Sequence, residues 1–326
     1  MNTFEKSIGG YLGLELNSRK NRKCYESMLF LNSAIGCLLE LFKRLKPEKI
    51  FLPKYSCHTL KKLSTLNCKI EYYNVDVNLK ICQKYDLQKD QFILYTNYFG
   101  INDENVNEVI RLYGKNNVII DNSQSLFSSF DCLANIYSLR KTIGVPDGGI
   151  ISSQYLRLNS KLEKDSTSSE RFMHLLMRVD GRVEDGLSFF RESEKSIGLQ
   201  EPKLMSDLTL SIFKQVDHFK IMKKRLKNFY FLKKNLDCKN KFIVTSKVAS
   251  PICYPLHCDS NLNSHLKKNL IFTPKYWPNL IELNDFENSL VQEFTFLPID
   301  QNLDENDLNR MINTIKEFSY IAESKK

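Results

Sequence analysis

Asp121 closes the short apolar, β-branched run Val118-Ile119-Ile120, which reads as a buried strand. Lys141 follows a second strand-like run, roughly Cys132 to Ser138, and stands on a loop. That loop ends in Pro146-Asp147-Gly148-Gly149, a turn signal ahead of the apolar Ile150-Ile151. Open α/β sheets bind ligands at the carboxyl ends of their strands, and Asp121 stands at such an end. An acid there and a lysine just past the next strand suit pyridoxal phosphate (PLP) chemistry. A lysine amine forms a Schiff base with that cofactor, while a carboxylate keeps the pyridine nitrogen protonated so that the ring draws electrons. The same spacing also fits an Asp121 that caps a following helix and a Lys141 that is a solvated loop charge.

Elements around this pair must bring it together. Phe30 to Leu39 has helical periodicity that runs on to about Leu45, with Asn32 or Ser33 as the N-cap. Ile50-Phe51-Leu52-Pro53 reads as a strand, and Lys54 to Thr59 as the opening of a helix. Lys69 to Val75 and Phe92 to Thr96 read as further strands, and Asp103 to Tyr113 as a crossover helix ahead of the Asp121 strand. Strands alternating with helices predict a mainly parallel sheet. Asn159 to Glu170 is polar and predicts an exposed loop, followed by a helix from Arg171 to Arg191. Met205-Ser206-Asp207 reads as an N-cap before one long amphipathic helix, Leu208 to about Leu236. Cys253 to Leu256, Thr273 to Pro278 and Leu297 to Asp300 punctuate a smaller α/β unit, in which Trp277 is expected to pack. The expected organisation is a large domain over residues 1–195 and a small one over 196–326.

Composition narrows the class. The 326 residues, 42% hydrophobic and 26% charged, suffice for a large core in a soluble protein. No apolar run is long enough for a membrane span, and Met1 to Lys6 lacks a signal-peptide layout. Nine cysteines lie scattered without C-x-x-C pairs or His-linked metal spacing, so no metal is expected and reduced thiols in the cytoplasm are. The net charge of +9 is concentrated nowhere except Lys214 to Lys234, which reads as a solvated helix face. Nucleic-acid binding is therefore not expected. A mildly basic surface would steer an anionic substrate instead.

Asp121-Asn122-Ser123-Gln124, followed by Arg140-Lys141-Thr142-Ile143-Gly144-Val145-Pro146-Asp147-Gly148-Gly149, resembles the DegT/StrS family of sugar aminotransferases, whose architecture is fold type I of the PLP enzymes. Lys141 precedes Gly149 by eight residues, the family's interval, and the likeness is nearer to a divergent branch with an R-K-x-x-G-V-P-D-G motif. It extends from about Ile8, where Ile8-Gly9-Gly10-Tyr11 is similar to the family's N-terminal segment, to the C-terminus. Ser33-Ala34-Ile35 falls on the family's S-G-T block, where a helix start takes the PLP phosphate. The Gly-Thr pair is replaced by Ala34-Ile35, so one hydroxyl ligand is missing while backbone amides remain. Asn97-Tyr98-Phe99-Gly100 is similar to an element that lines the cofactor side of the sheet, and Gln124 takes a position near the cofactor's phenolic oxygen. Cys57 falls where the family places an aromatic over the ring, and His58 beside it is the alternative occupant. Ser138, in Ser138-Leu139-Arg140-Lys141, is the expected side-chain ligand to phosphate, two residues nearer the lysine than in the family's usual pattern.

The resemblance implies a homodimeric PLP-dependent aminotransferase that moves an amine from an amino acid, glutamate by analogy, to a nucleotide-linked keto-sugar in polysaccharide or related amino-sugar biosynthesis. Sugar dehydratases on this fold carry histidine in place of the lysine, and Lys141 argues against that outcome. The departures at Ala34, Ile35 and Cys57 leave a second reading, a scaffold that has kept the fold and lost turnover.

Overall fold

The structure, a computed structural model, describes residues 27–244, 247–258 and 261–323, with side chains as far as residue 318. Ile8-Gly9-Gly10-Tyr11 lies outside the described residues. The seven strands of the main sheet are β1 (Met28–Leu31), β2 (Lys49–Pro53), β3 (Lys69–Tyr73), β4 (Gln91–Thr96), β5 (Val118–Asp121), β6 (Ala134–Ser138) and β7 (Gly149–Ser152). They lie in the order β1-β7-β6-β5-β4-β2-β3. From β6 to β3 the pairing is parallel, and β7 runs antiparallel to both neighbours. The two central strands, Phe-Ile-Leu-Tyr in β4 and Val-Ile-Ile in β5, are apolar throughout because both faces of a parallel sheet are covered.

One face packs on α1 (Ala34–Leu45), whose Ile35, Leu38, Leu39, Leu41 and Phe42 meet Ile50, Leu52, Leu94, Ile119 and Ile136. Ser33 is the N-cap: its hydroxyl accepts from the Gly36 amide at 3.0 Å. The other face carries α2 (Asp103–Tyr113) and meets a smaller unit of α6 (His218–Leu236), an antiparallel pair β8 (Cys253–His257) and β9 (Phe294–Pro298), and α9 (Glu305–Glu323). Between the sheet and this unit the chain forms α3 (Met173–Val179), α4 (Gly186–Leu199) and α5 (Asp207–Gln215), and α7 (Leu262–Lys268) and α8 (Asp285–Gln292) connect β8 to β9. Residue 195, where the domain change was expected, falls inside α4.

Three expected elements divide. The helix expected from Phe30 is a strand to Leu31 and a helix from Ala34, because β1 pairs with β7 more than a hundred residues away. The helix from Arg171 to Arg191 becomes α3 and α4, parted by a turn in which Gly181 takes a positive φ of 74°. The helix from Leu208 to Leu236 is α5 and α6. Asp217 restarts it by accepting from the Lys220 amide at 2.9 Å. Lys54 to Thr59 opens no α-helix either: His58–Thr65 is 3-10 helix.

Candidate active site

The parallel register sets Asp121 opposite Ile136, so Ser138 ends the neighbouring strand two residues further on. One 3-10 turn, Leu139–Lys141, then carries the lysine. Asp121 is half-buried, and its Oδ1 accepts from the Ser123 amide at 2.9 Å. Its other oxygen has no partner among the described residues, and no cation pairs with it there. Its charge is felt under α1: burial first, and the Asp121 carboxylate second, push the Cys37 thiol well above its usual range. Lys141 is also half-buried, and its Nζ makes no hydrogen bond or ion pair among the described residues.

Two glycines join the lysine turn to the start of α1. Gly148 has φ +112°, a region that L side chains rarely adopt. Its carbonyl accepts from Leu139 N at 3.0 Å, and its amide donates to Asn32 O at 2.8 Å. Gly149 pairs with Ser138 in the β6–β7 ladder, and a Cβ on it would stand 2.4 Å from the Ser33 carbonyl and 2.6 Å from Ala34 N. Ser138, Ser33 and Ala34 are thus neighbours around one glycine, with Ile35 next along α1. The Ala34 and Ile35 amides are first-turn donors without a helical acceptor, and the Ser138 hydroxyl has no partner among the described residues. Gly149→Ala should cost about 1–3 kcal/mol through overpacking, read as a lower denaturation midpoint. An unchanged midpoint would show that α1 can retreat.

At the carboxyl ends of β2, β4 and β5 several buried polar atoms lack partners: Tyr55 Oη, Thr96 Oγ1, Asn97 Oδ1 and Gln124 Nε2. Gln124 is 1% exposed, and its Oε1 accepts from Phe99 N at 2.8 Å. That bond holds Phe99 in a left-handed conformation, φ +58°, which L side chains adopt at a cost. An orphaned buried donor or acceptor costs about 1–3 kcal/mol. These four stand at or just past the carboxyl ends of their strands, the side on which this sheet class binds ligands.

No family model and no curated protein sequence matches the chain. Solved structures do match its fold. A DegT DnrJ EryC1 StrS aminotransferase from Brucella abortus superposes with a TM-score of 0.59 at 13% identity, over 89% of this chain and 85% of that one. The sugar aminotransferase CalS13 from Micromonospora echinospora gives 0.59 at 13%, over 89% and 87%. DesV from S. venezuelae, in complex with a ketimine intermediate, gives 0.61 at 13%, over 89% and 84%. The chain shares the fold of these aminotransferases.

Within this aminotransferase fold the residues at positions 57 and 58 part company. Cys57 is half-buried and accepts from Thr59 Oγ1 at 3.1 Å. His58 is exposed and makes no hydrogen bond among the described residues, so the structure does not gather it with the other candidates. Arg140 pairs with Glu194 of α4, Nη2 to Oε2 at 2.9 Å. Trp277 packs edge-on against Tyr55, centroids 4.7 Å apart. The aminotransferase fold also brings in two side chains that sequence reasoning did not select. Arg225 Nη2 at 3.5 Å and Gln301 Nε2 at 3.1 Å both point at the Thr142 carbonyl, next to Lys141. Arg225 and Asn228 are both buried on α6, and a buried polar pair three residues apart in a helix is the signal that could have found the first. Gln301, in a loop, gave none. A cleft of about 970 Å³ between α2 and the β8–β9 unit, lined by Lys80, Glu108, Lys241 and His257 among others, contains none of these residues.

Proposed function

We propose that this protein is a PLP-dependent aminotransferase acting on a keto-sugar carried by a nucleotide. The observation that carries the reading is a carboxylate, Asp121, at the end of β5 and a lysine, Lys141, on the turn after the adjacent parallel strand β6, neither in an ion pair among the described residues. The residues fit the cofactor end for end. Ser138 and the first-turn amides of α1, with Ser33, would hold its phosphate; Gln124 Nε2 would donate to its phenolic oxygen; Asp121 would face its ring nitrogen; and Lys141 would hold its aldehyde carbon. Bound there, PLP supplies an electron sink that acidifies the α-carbon of an amino acid.

The chain's own groups do the rest. Asp121 would hold the proton on the pyridine nitrogen, since a nearby negative charge favours the cationic ring. The Lys141 amine, without a partner among the described residues, would take the proton from the donor's α-carbon and hand it on from the same face. At Cys57 a thiol cannot stack as a ring does, so Gln124 and the phosphate contacts carry more of the binding.

A homodimer in the cytoplasm, serving polysaccharide or related amino-sugar synthesis, belongs to the same reading. Met173, Leu176, Val179, Leu187 and Phe190 on α3 and α4 are exposed, and α4 also carries Glu194, the partner of Arg140. An apolar surface this near the lysine turn suits a second copy of the chain.

The test is an absorbance spectrum of the protein loaded with PLP. The expected result is a band near the visible edge that moves on adding glutamate, in a preparation that light scattering finds dimeric. A folded protein without a band after PLP addition would sink the enzyme reading and favour the scaffold.

A further inference from the structure

Behind the lysine turn lies a closed cluster of charge. Asp147 is 0% exposed. Its Oδ2 accepts from Arg171 Nη2 at 2.6 Å, and its Oδ1 from the Thr209 hydroxyl at 2.5 Å. The same Arg171 nitrogen reaches Asp165 Oδ2 at 2.6 Å, while Nη1 donates to Thr167 Oγ1 at 2.9 Å. Arg171 is 4% exposed and Asp165 3%. Buried ions are costly to desolvate, and a hydrophobic cluster of the same volume would often be as stable. What such a cluster does supply is a fixed geometry with few alternatives, because each carboxylate must keep its donors.

That geometry is handed on through one peptide unit. Gly148, next to Asp147, spends its carbonyl on Leu139 N and its amide on Asn32 O. The first bond sets the turn that ends in Lys141, and the second sets the residue before the α1 cap. Gly149 then touches Ser33 and Ala34 directly. A shift at Asp147 would therefore move the lysine turn relative to the helix start, on which opposite ends of one ligand depend.

We propose that Arg171 is a positioning residue: held by Asp165 and acting through Asp147, it sets the relative placement of the Lys141 turn and the first turn of α1. For its catalytic consequence this rests on the PLP reading above, but the coupling itself does not.

The test uses the full chain with Arg171→Lys, which keeps the charge and loses the fork, and Asp147→Asn, which keeps the shape and loses the charge. Leu232→Ala, in the buried core beside the small unit, is the comparison for general loss of stability. Hydrogen exchange without added cofactor is read first. The Leu139 and Gly148 amides should exchange at least about ten-fold faster in both cluster variants than in the parent or in Leu232→Ala. Unchanged exchange at these two amides would overturn the proposal, whatever the protein does with PLP. PLP titration is read second. If the parent binds PLP, the cluster variants should bind at least about ten-fold more weakly, with a displaced pH midpoint of the visible band, while Leu232→Ala keeps the parent's midpoint. Parent-like affinity and midpoint in folded cluster variants would overturn the positioning role. A parent that binds no PLP yet shows the exchange difference would sink the proposed function and leave the coupling standing.

Discussion

Lys141→Ala should abolish turnover and leave the fold untouched. The Lys141 side chain is half-buried and makes no hydrogen bond or ion pair among the described residues, so its truncation orphans no partner. What is lost is the only primary amine on the turn after β6. Removing a positioned proton-transfer group alone costs about 10²–10⁴-fold, and on the proposed function the same substitution would also remove the cofactor's covalent anchor. A fall of at least about 10⁴-fold in kcat is expected, with a melting temperature close to the parent's. Lys141→Arg separates charge from nucleophile: it keeps the cation, cannot form the imine, and should be as inactive. Borohydride reduction of the loaded parent, followed by peptide mass spectrometry, should mark residue 141 and no other lysine. A label on another lysine, with Lys141→Ala still active, would remove the foundation of the proposed function.

How far the sequence foretold this arrangement depended on the range of the interactions involved. Val118–Asp121 and Asp103–Tyr113 were legible because their signals are local: an apolar β-branched run, and a helix with acids in its first turn and Gly114 after its last. Ser33 could be placed as a cap to within one residue for the same reason. β1 was not legible, since four residues with partners at 149–152 leave no periodicity of their own. The break at Val216-Asp217 is masked in the sequence because the apolar spacing runs across it, although Asp217 is itself a cap. At the site, Asp121, Ser138 and Lys141 could be proposed from strand ends. The orphaned Thr96 and Asn97 could not, because an unmet hydrogen bond is a property of packing in three dimensions. Nor could the Asp147–Arg171–Asp165 cluster, whose members fall on a turn, a 3-10 segment and a loop that only tertiary contact brings together. Pro146-Asp147-Gly148-Gly149 read as a turn, and the structure adds that its acid is the turn's buried tether.

Asp121→Asn should be nearly as damaging as loss of the lysine, for a different reason. Asparagine keeps the Oδ1 acceptor for the Ser123 amide, now 2.9 Å away, so the turn after β5 should hold and stability should change little. Only the charge goes. In a half-buried position beside a buried helix, one formal charge is weakly screened, and removing one preorganised electrostatic group typically costs about 10²–10³-fold in kcat. The sign at the ring nitrogen follows directly. A carboxylate raises the pKa of a neighbouring cation, so its neutral isostere lowers it and the ring loses its proton at a lower pH. The variant should therefore bind PLP and form its imine, while transamination slows and recovers in part as the pH is lowered. Asp121→Glu keeps the charge and should regain part of the rate where Asn does not, since the longer side chain can still face the ring. Stopped-flow half-reactions with glutamate at a series of pH values would read all of this. An Asp121→Asn variant as fast as the parent at neutral pH would mean that the carboxylate does not face the ring, and that Lys141 works against some other support.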